Sequence, residues 1–281
     1  MLSKISTDKM FAKRIAILGG GNIGRALANG FVRSGAYKPS QIYITRRQVK
    51  FLDNYKKQGF HITSDNIEAI NNCKTIIITV LPDQLTNLLD SIKHAVQPKR
   101  HQIVSAVTGV KGKDISDRLN SSVPVVLVMP NTAVAIGESM TCLASNGIPE
   151  KSLQSAVKLF DNIGKTIVVK EEHMIASTAL CACGIAFFLR AIRAASQGGI
   201  QIGFHAEDAL RMAAQTARGA ASLLLESRRH PESEIDRVTT PLGCTIAGLN
   251  KMEHEGFSSA MIEGLVTAGE IAESLFNSKK K

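Results

Sequence analysis

The chain has 281 residues, of which 44% are hydrophobic and 21% charged, with a net charge of +10 and no tryptophan. This length is enough for two domains or one large one with a substantial core. An aromatic content of 5% argues against a broad stacking surface for single-stranded nucleic acid. The basic residues are dispersed in pairs such as Arg46/Arg47, Lys56/Lys57, Lys99/Arg100 and Arg228/Arg229, with a final Lys279–Lys281. Such dispersal makes a solvated surface that attracts anionic metabolites, with no nucleic-acid track.

Met1 to Lys13 is polar and lacks the apolar core of a signal peptide. The five cysteines (Cys73, Cys142, Cys181, Cys183 and Cys244) are odd in number and lack metal-ligand spacing, so the sequence predicts no metal and a reduced, cytoplasmic setting. From Arg14 to Lys170, short β-branched runs alternate with amphipathic stretches. Strands are predicted at Ile15–Leu18, Gln41–Thr45, Thr75–Val80, Gln102–Ala106, Val123–Met129, Met140–Ala144 and Thr166–Val169. Helices are predicted at Ile23–Ser34, Gln84–His94 and Leu153–Ile163. Nearly continuous apolar strands alternating with helices predict a mostly parallel sheet covered on both faces.

At the end of the first strand lies Gly19-x-Gly21-x-x-Gly24, with Asn22 and Ile23 between the glycines. Strand, glycine turn and helix in that order form a dinucleotide fingerprint, in which the helix N-terminus receives a pyrophosphate. About twenty residues beyond such glycines, NAD enzymes carry an acidic residue for the ribose hydroxyl. Here the place holds Thr45-Arg46-Arg47, whose guanidiniums suit a 2′-phosphate. NADP(H) is therefore favoured, with NAD as the alternative. Three further strand ends could flank the nicotinamide: Val80-Leu81-Pro82, Val107-Thr108-Gly109 and Met129-Pro130-Asn131-Thr132.

After Lys170 only helical periodicity remains, with breaks expected at Gly198-Gly199, Ile202–His205, His230–Glu232 and Thr239–Gly243. The apolar run Met174–Leu189 is too short to span a bilayer comfortably and reads as a buried helix pair. Ala209–Leu224 is apolar around most of its circumference, which calls for burial against a second subunit. The fold expected is thus α/β: an N-terminal Rossmann-type dinucleotide-binding domain, residues 1–170, followed by an all-helical dimerisation and substrate domain, residues 171–281.

Within the second domain, Thr239-Thr-Pro-Leu-Gly243 leads into Cys244-Thr245 and an amphipathic helix. The helix start offers free N–H groups to an anion, and Thr245 adds a hydroxyl. A hydroxyacid dehydrogenase would need a general acid, usually His or Lys, but Met174–Leu189 contains neither, and His173 beside two glutamates reads as a surface or capping residue. A protonated imine, already electrophilic, needs less acid help, and Thr245 could hold its N–H.

Val238-Thr-Thr-Pro-Leu-Gly-Cys-Thr-Ile-Ala-Gly-Leu249 resembles the signature of pyrroline-5-carboxylate reductases, and the likeness extends to Gly19-Gly-Gly-Asn-Ile-Gly24, Val128-Met-Pro-Asn-Thr132 and Cys181-Ala-Cys-Gly-Ile-Ala-Phe187. The resemblance implies reduction of 1-pyrroline-5-carboxylate to proline with NADPH or NADH, by a homodimer that in this family often assembles into decamers. It implies that Thr245 hydrogen-bonds the imine nitrogen, that Thr240 and the backbone of Gly243 and Cys244 hold the carboxylate, and that Pro130 and Asn131 border the nicotinamide. The chain departs from the family at Leu242 (a family Gly), Cys244 (Thr or Ala), Thr240 (Ser), Ile185 (Pro), Phe187 (Tyr) and Leu81 (Lys). These departures leave open a related imine or keto-acid reductase of altered substrate, or a non-catalytic NADP-binding protein.

Overall fold

The computed structural model describes residues 14–145 and 147–277; Met1–Lys13 and Lys279–Lys281 lie outside them. Contacts divide the chain into two units, 1–182 with 269–281, and 183–268.

The first unit is built on an eight-stranded sheet of order β3-β2-β1-β4-β5-β6-β7-β8. Its strands are β1 (Ile15–Leu18), β2 (Ile42–Thr45), β3 (His61–Thr63), β4 (Thr75–Ile78), β5 (Gln102–Ser105), β6 (Val125–Met129), β7 (Ser139–Ala144) and β8 (Gly164–Val168). All neighbours pair in parallel except β6 with β7. The expected mostly parallel sheet is therefore present. β3 is an addition: three half-buried residues are too few to show a period in sequence.

Alternate residues of each strand serve opposite faces, which is why the strands read as unbroken apolar runs. Ile15 and Ile17 enter one core, Ala16 and Leu18 the other; Val126 and Val128 lie opposite Val125, Leu127 and Met129. The first core is closed by α1 (Asn22–Arg33), through Leu27 and Phe31, and by the helix Glu150–Phe160. The short α2 (Asp53–Lys57) buries none of its side chains fully and sends its half-buried Tyr55 against the first core. The second core is closed by α3 (Asn66–Asn71), which contributes Ile70, by α4 (Pro82–Ile92), which contributes Leu85, Leu89 and Ile92, and by α5 (Gly112–Leu119), which contributes Ile115. Glu150–Phe160 is α6 in chain order. Asp65 caps α3 by accepting from the Ile67 and Glu68 amides at 2.8 and 3.3 Å.

One buried group makes this unit acid-sensitive. His101 is 3% exposed; its Nδ1 accepts the Gln97 amide at 2.9 Å, and its Nε2 has no hydrogen bond. Burial, then the Arg100 charge, push its pKa down to about 4, against a weaker pull from the Ile70 backbone. The unfolded chain binds this proton near 6.5, so the neutral ring's contribution is complete above that pH and is lost as pH falls toward 4. We expect urea-unfolding free energy to drop by up to about 3 kcal/mol across that window, and His101→Gln to flatten the drop.

The segment after Lys170 consists of α7 (Met174–Ser177), a π-helical turn (Thr178–Cys183), α8 (Gly184–Gln201), α9 (Ala206–Ser227), α10 (Pro231–Val238), α11 (Cys244–His254) and α12 (Phe257–Asn277). Two expectations are corrected. Met174–Leu189 is not a buried helix pair: it belongs to one helical run, Glu171–Gln201, of 31 residues with mean hydropathy 1.9. By length and composition that run could cross a membrane, and Leu180, Phe188 and Leu189 are each about 60% exposed. Gly198-Gly199 is not a break but lies inside α8. A Cβ on Gly199 would come within 3.1 Å of the Ala209 Cβ, so the glycine serves close packing of α8 on α9. The breaks at 202–205 and 239–243 stand, and α10 begins with Pro231 at the expected third one.

In the second unit the buried residues are Gly184, Ser196 and Ala209. Ile202 and Leu225 are more than three-quarters exposed. The apolar circumference expected for Ala209–Leu224 is present on α9, and within this chain most of it is uncovered.

Candidate active site

The order β3-β2-β1-β4-β5 reverses direction at β1, and the crevice between the C-terminal ends of β1 and β4 is where open α/β sheets take their ligands. A cleft of about 910 Å³ opens there, bordered by Gly19 to Ile23 after β1, Thr45 to Gln48 after β2, Ser64 after β3, and Thr79 to Leu81 after β4.

The glycines differ in what they do. Gly19 adopts φ +117°, and a Cβ there would lie 2.8 Å from the Thr79 backbone. A Cβ on Gly24 would lie 2.2 Å from the Gly19 carbonyl oxygen, so α1 can begin this close to β1 only without one. At Gly21 a Cβ would meet no protein atom within 4 Å. Its missing side chain therefore leaves room on the cleft side for something other than the protein. No side chain caps α1, so its first N–H groups are left to a ligand. These three observations fit a pyrophosphate seated on the loop.

Arg46 does not simply trail in solvent. Its Nη1 donates to the Gly20 carbonyl at 2.8 Å, and its guanidinium sits 4.5 Å over the Phe51 ring. Arg47 is exposed at the cleft edge. Thr45 gives its carbonyl to the Gly19 and Gly20 amides and its hydroxyl to Asn66 at 2.6 Å.

The other predicted cofactor residues divide. Val80 and Leu81 line the same cleft, and Leu81 is 63% exposed there. Pro82 starts α4 and Gly24 lies within α1; neither lines it. Val107 borders a second cavity of about 480 Å³ with Met129, Lys111 and Glu171. Pro130 is buried. Asn131 caps the short 3₁₀ turn Thr132–Ile136 by accepting the Ala133 amide at 3.0 Å, and its Nδ2 donates to the Cys181 carbonyl at 3.0 Å. His173 is exposed beside Glu172, as its sequence context suggests.

Two residues went unread in the sequence. Thr79 donates its hydroxyl to the Gly19 carbonyl at 2.7 Å, joining β4 to the glycine loop. Its place near the end of the predicted strand Thr75–Val80, one residue past the observed β4 and at the switch point, was the available signal. Arg25 reaches back to Gly21 O at 3.2 Å and Asn22 Oδ1 at 2.8 Å, bracing the loop from within α1.

In the second unit, Thr240-Pro-Leu-Gly243 is a β-turn closed by the Gly243 amide donating to the Thr240 carbonyl at 2.9 Å. Pro241 holds the second position and Leu242, at φ +60°, the third. That combination belongs to a type II turn, whose third position favours glycine. A leucine there costs about 1 kcal/mol, and its side chain is fully exposed. A Cβ on Gly243 would lie 2.4 Å from Thr240 Oγ1, so the glycine keeps that hydroxyl against the start of α11. Gly243 caps α11 without a side-chain hydrogen bond; Cys244 and Thr245 form its exposed first turn. A hydroxyl on each side of an open helix N-terminus is an arrangement able to take a carboxylate and a neighbouring N–H together. Among the described residues, no group of three His, Cys, Asp or Glu side chains could hold a metal ion.

Comparison with known proteins agrees with both halves. Residues 171–275 match the family described as pyrroline-5-carboxylate reductase dimerisation, and residues 14–109 that described as NADP oxidoreductase, coenzyme F420-dependent. Pyrroline-5-carboxylate reductase 2 of Dictyostelium discoideum is 51% identical over 95% of this chain and 94% of its own length. Pyrroline-5-carboxylate reductase 1 of the same organism is 51% identical over 97% of this chain, which spans only 52% of that relative. A crystal structure of Plasmodium falciparum pyrroline carboxylate reductase with NADP bound superposes with a TM-score of 0.86 at 23% identity, covering 95% of this chain and 99% of that one.

Proposed function

The chain belongs to the pyrroline-5-carboxylate reductase family, and from that premise we propose that it reduces 1-pyrroline-5-carboxylate to proline, the closing step of proline synthesis, with NADPH as donor and NADH as the weaker alternative. The observation that carries the reading is the glycine-loop cleft of the first unit, and the uncapped, hydroxyl-flanked start of α11 separately adds a place for the substrate. NADPH, when bound, supplies the hydride. The start of α1 receives its pyrophosphate, Asn22 and Ile23 lie against it, and Arg46 and Arg47 hold the 2′-phosphate. Val80, Leu81, Val107, Pro130 and Asn131 border its nicotinamide half, while Pro82 holds the turn behind Leu81 as the first residue of α4. The substrate's carboxylate lies on the Gly243 and Cys244 backbone and the Thr240 hydroxyl. Thr245 holds the imine nitrogen, keeping its proton in place while the adjacent carbon accepts the hydride.

We place the functional boundary at 170/171, where strand periodicity ends and the dimerisation match begins. The exposed apolar faces of α8 and α9 we assign to a second copy of the chain rather than to lipid or nucleic acid, in a homodimer that can build further toward a decamer. The cytoplasm is the compartment we assign.

Loss of NADPH absorbance on adding pyrroline-5-carboxylate tests the reading, with NADPH binding followed in parallel. Binding without turnover would return the chain to a non-catalytic role. Leu242, fully exposed at a glycine-favouring turn, supports one second reading, a related reductase of shifted substrate. Faster turnover of another cyclic imine in a substrate panel would establish it. Arg46→Ala with Arg47→Ala is expected to lower the NADPH-over-NADH ratio of kcat/KM by tenfold or more, on the order of one lost charge-assisted contact. An unchanged ratio would remove both arginines from cofactor selection.

A further inference from the structure

Two of the five free thiols meet. Cys142 is buried on β7 and Cys181 is half-buried in the π-helical turn, and their sulfurs stand 3.7 Å apart. Their surroundings tie them to the nicotinamide border proposed above. Cys142 pairs across the antiparallel ladder with Met129, directly before Pro130-Asn131. The Cys181 carbonyl accepts the Asn131 side chain. The two cysteine backbones thus grip the Met129–Asn131 segment from two sides. The π-turn itself is a rare geometry that occurs frequently at working sites.

We propose that Cys142 and Cys181 form a reversible disulfide under hydroperoxide, a modification site that clamps the Met129–Asn131 segment and lowers turnover. The effect on turnover rests on the reductase reading; the modification itself does not. Closing the pair draws the sulfurs to about 2.05 Å, which pulls the π-turn onto β7.

The chemistry balances without a metal. The pair shares a readily lost proton: the hydrogen bond from Cys181, against the cost of burial and with help from Ser177, brings the Cys142 thiol down to about 6. The Cys181 thiol, which donates that hydrogen bond and is itself partly desolvated beside the Cys142 charge, is pushed up, so the ionised sulfur is Cys142. Its electron pair attacks a peroxide oxygen, the O–O bond breaks, and the departing hydroxide takes a proton to leave as water. Cys181 then attacks the Cys142 sulfenic acid, the S–O bond breaks, and its own proton leaves in a second water. Two thiols are oxidised by two electrons and one peroxide is reduced to two waters. A reducing thiol reverses the step by exchange.

The remaining cysteines calibrate the test. Cys73 is buried with its thiol pushed up to about 12 by desolvation, whereas Cys244 is exposed. The full-length protein is treated with hydrogen peroxide, alkylated, digested without reductant and mapped by mass spectrometry, with NADPH-dependent turnover and NADPH binding read on the same samples. We expect a peptide joining Cys142 to Cys181 that reductant dissolves, and a several-fold fall in turnover that recovers with it. Cys142→Ser and Cys181→Ser should each keep basal turnover and resist the fall; two variants guard against one misfolding. Absence of the linked peptide at a dose that oxidises Cys244 overturns the proposal. So does a linked peptide with unchanged turnover in an enzyme active on pyrroline-5-carboxylate. If the chain lacks that activity altogether, the linked peptide and NADPH binding still decide the modification.

Discussion

Gly24→Ala is expected to abolish measurable NADPH binding and to destabilise the fold as well. The added Cβ falls 2.2 Å from the Gly19 carbonyl, a backbone atom that is also held by Thr79. Either α1 moves away from β1 or the glycine loop opens, and each shift misplaces the N–H groups meant for the pyrophosphate. Overpacking of this kind costs about 1–3 kcal/mol of stability, and a displacement of about 1 Å in a positioned site can cost on the order of 10²-fold. Gly21→Ala provides the contrast. Its Cβ meets no protein atom, so thermal stability should hold while NADPH affinity falls. Calorimetry and fluorescence titration of the two variants separate a folding glycine from a ligand glycine. Equal, undiminished NADPH affinity in both would remove the loop from cofactor binding.

The second large effect concerns Thr245. Under the proposed assignment its hydroxyl holds the imine N–H as the ring nitrogen takes on amine character, so Thr245→Ala should cut kcat by about 10²-fold, the usual scale for a lost polar contact to the reacting group. NADPH affinity should not move, because the glycine-loop cleft contains no part of α11. Thr245→Ser keeps the hydroxyl and should recover most of the rate. Turnover equal to that of the parent in the alanine variant would strike Thr245 from the mechanism, leaving the helix start as a carboxylate site only.

What could be read in advance followed from local repetition. β1 and β6 were legible because both faces of the sheet are packed and every position along them is apolar, and β4 because three isoleucines follow its first residue, Thr75. The glycine loop was legible because its spacing is a property of consecutive residues. β3 was not, since three half-buried residues carry no period. Gly198-Gly199 misled because paired glycines break helices when exposed, yet Gly199 here meets Ala209 at a helix crossing. Thr79 and Arg46 act through partners 60 and 26 positions away, and Cys142 meets Cys181 across 39. No pattern in the chain announces such pairs; the sheet order creates them. The left-handed backbone at Leu242 was equally hidden, because leucine is the wrong residue from which to infer it.

The uncovered helices of residues 183–268 carry a thermodynamic consequence. With Gly184, Ser196 and Ala209 the buried residues of that unit, it holds too little core to be stable through its own contacts. Its folding free energy must then come largely from association, and association obeys mass action. The melting temperature of this protein should rise with its concentration, and dilution should weaken it as added denaturant weakens a monomer. An apparently slow loss of activity in dilute assays would then be subunit dissociation, recoverable on reconcentration, rather than damage to the site.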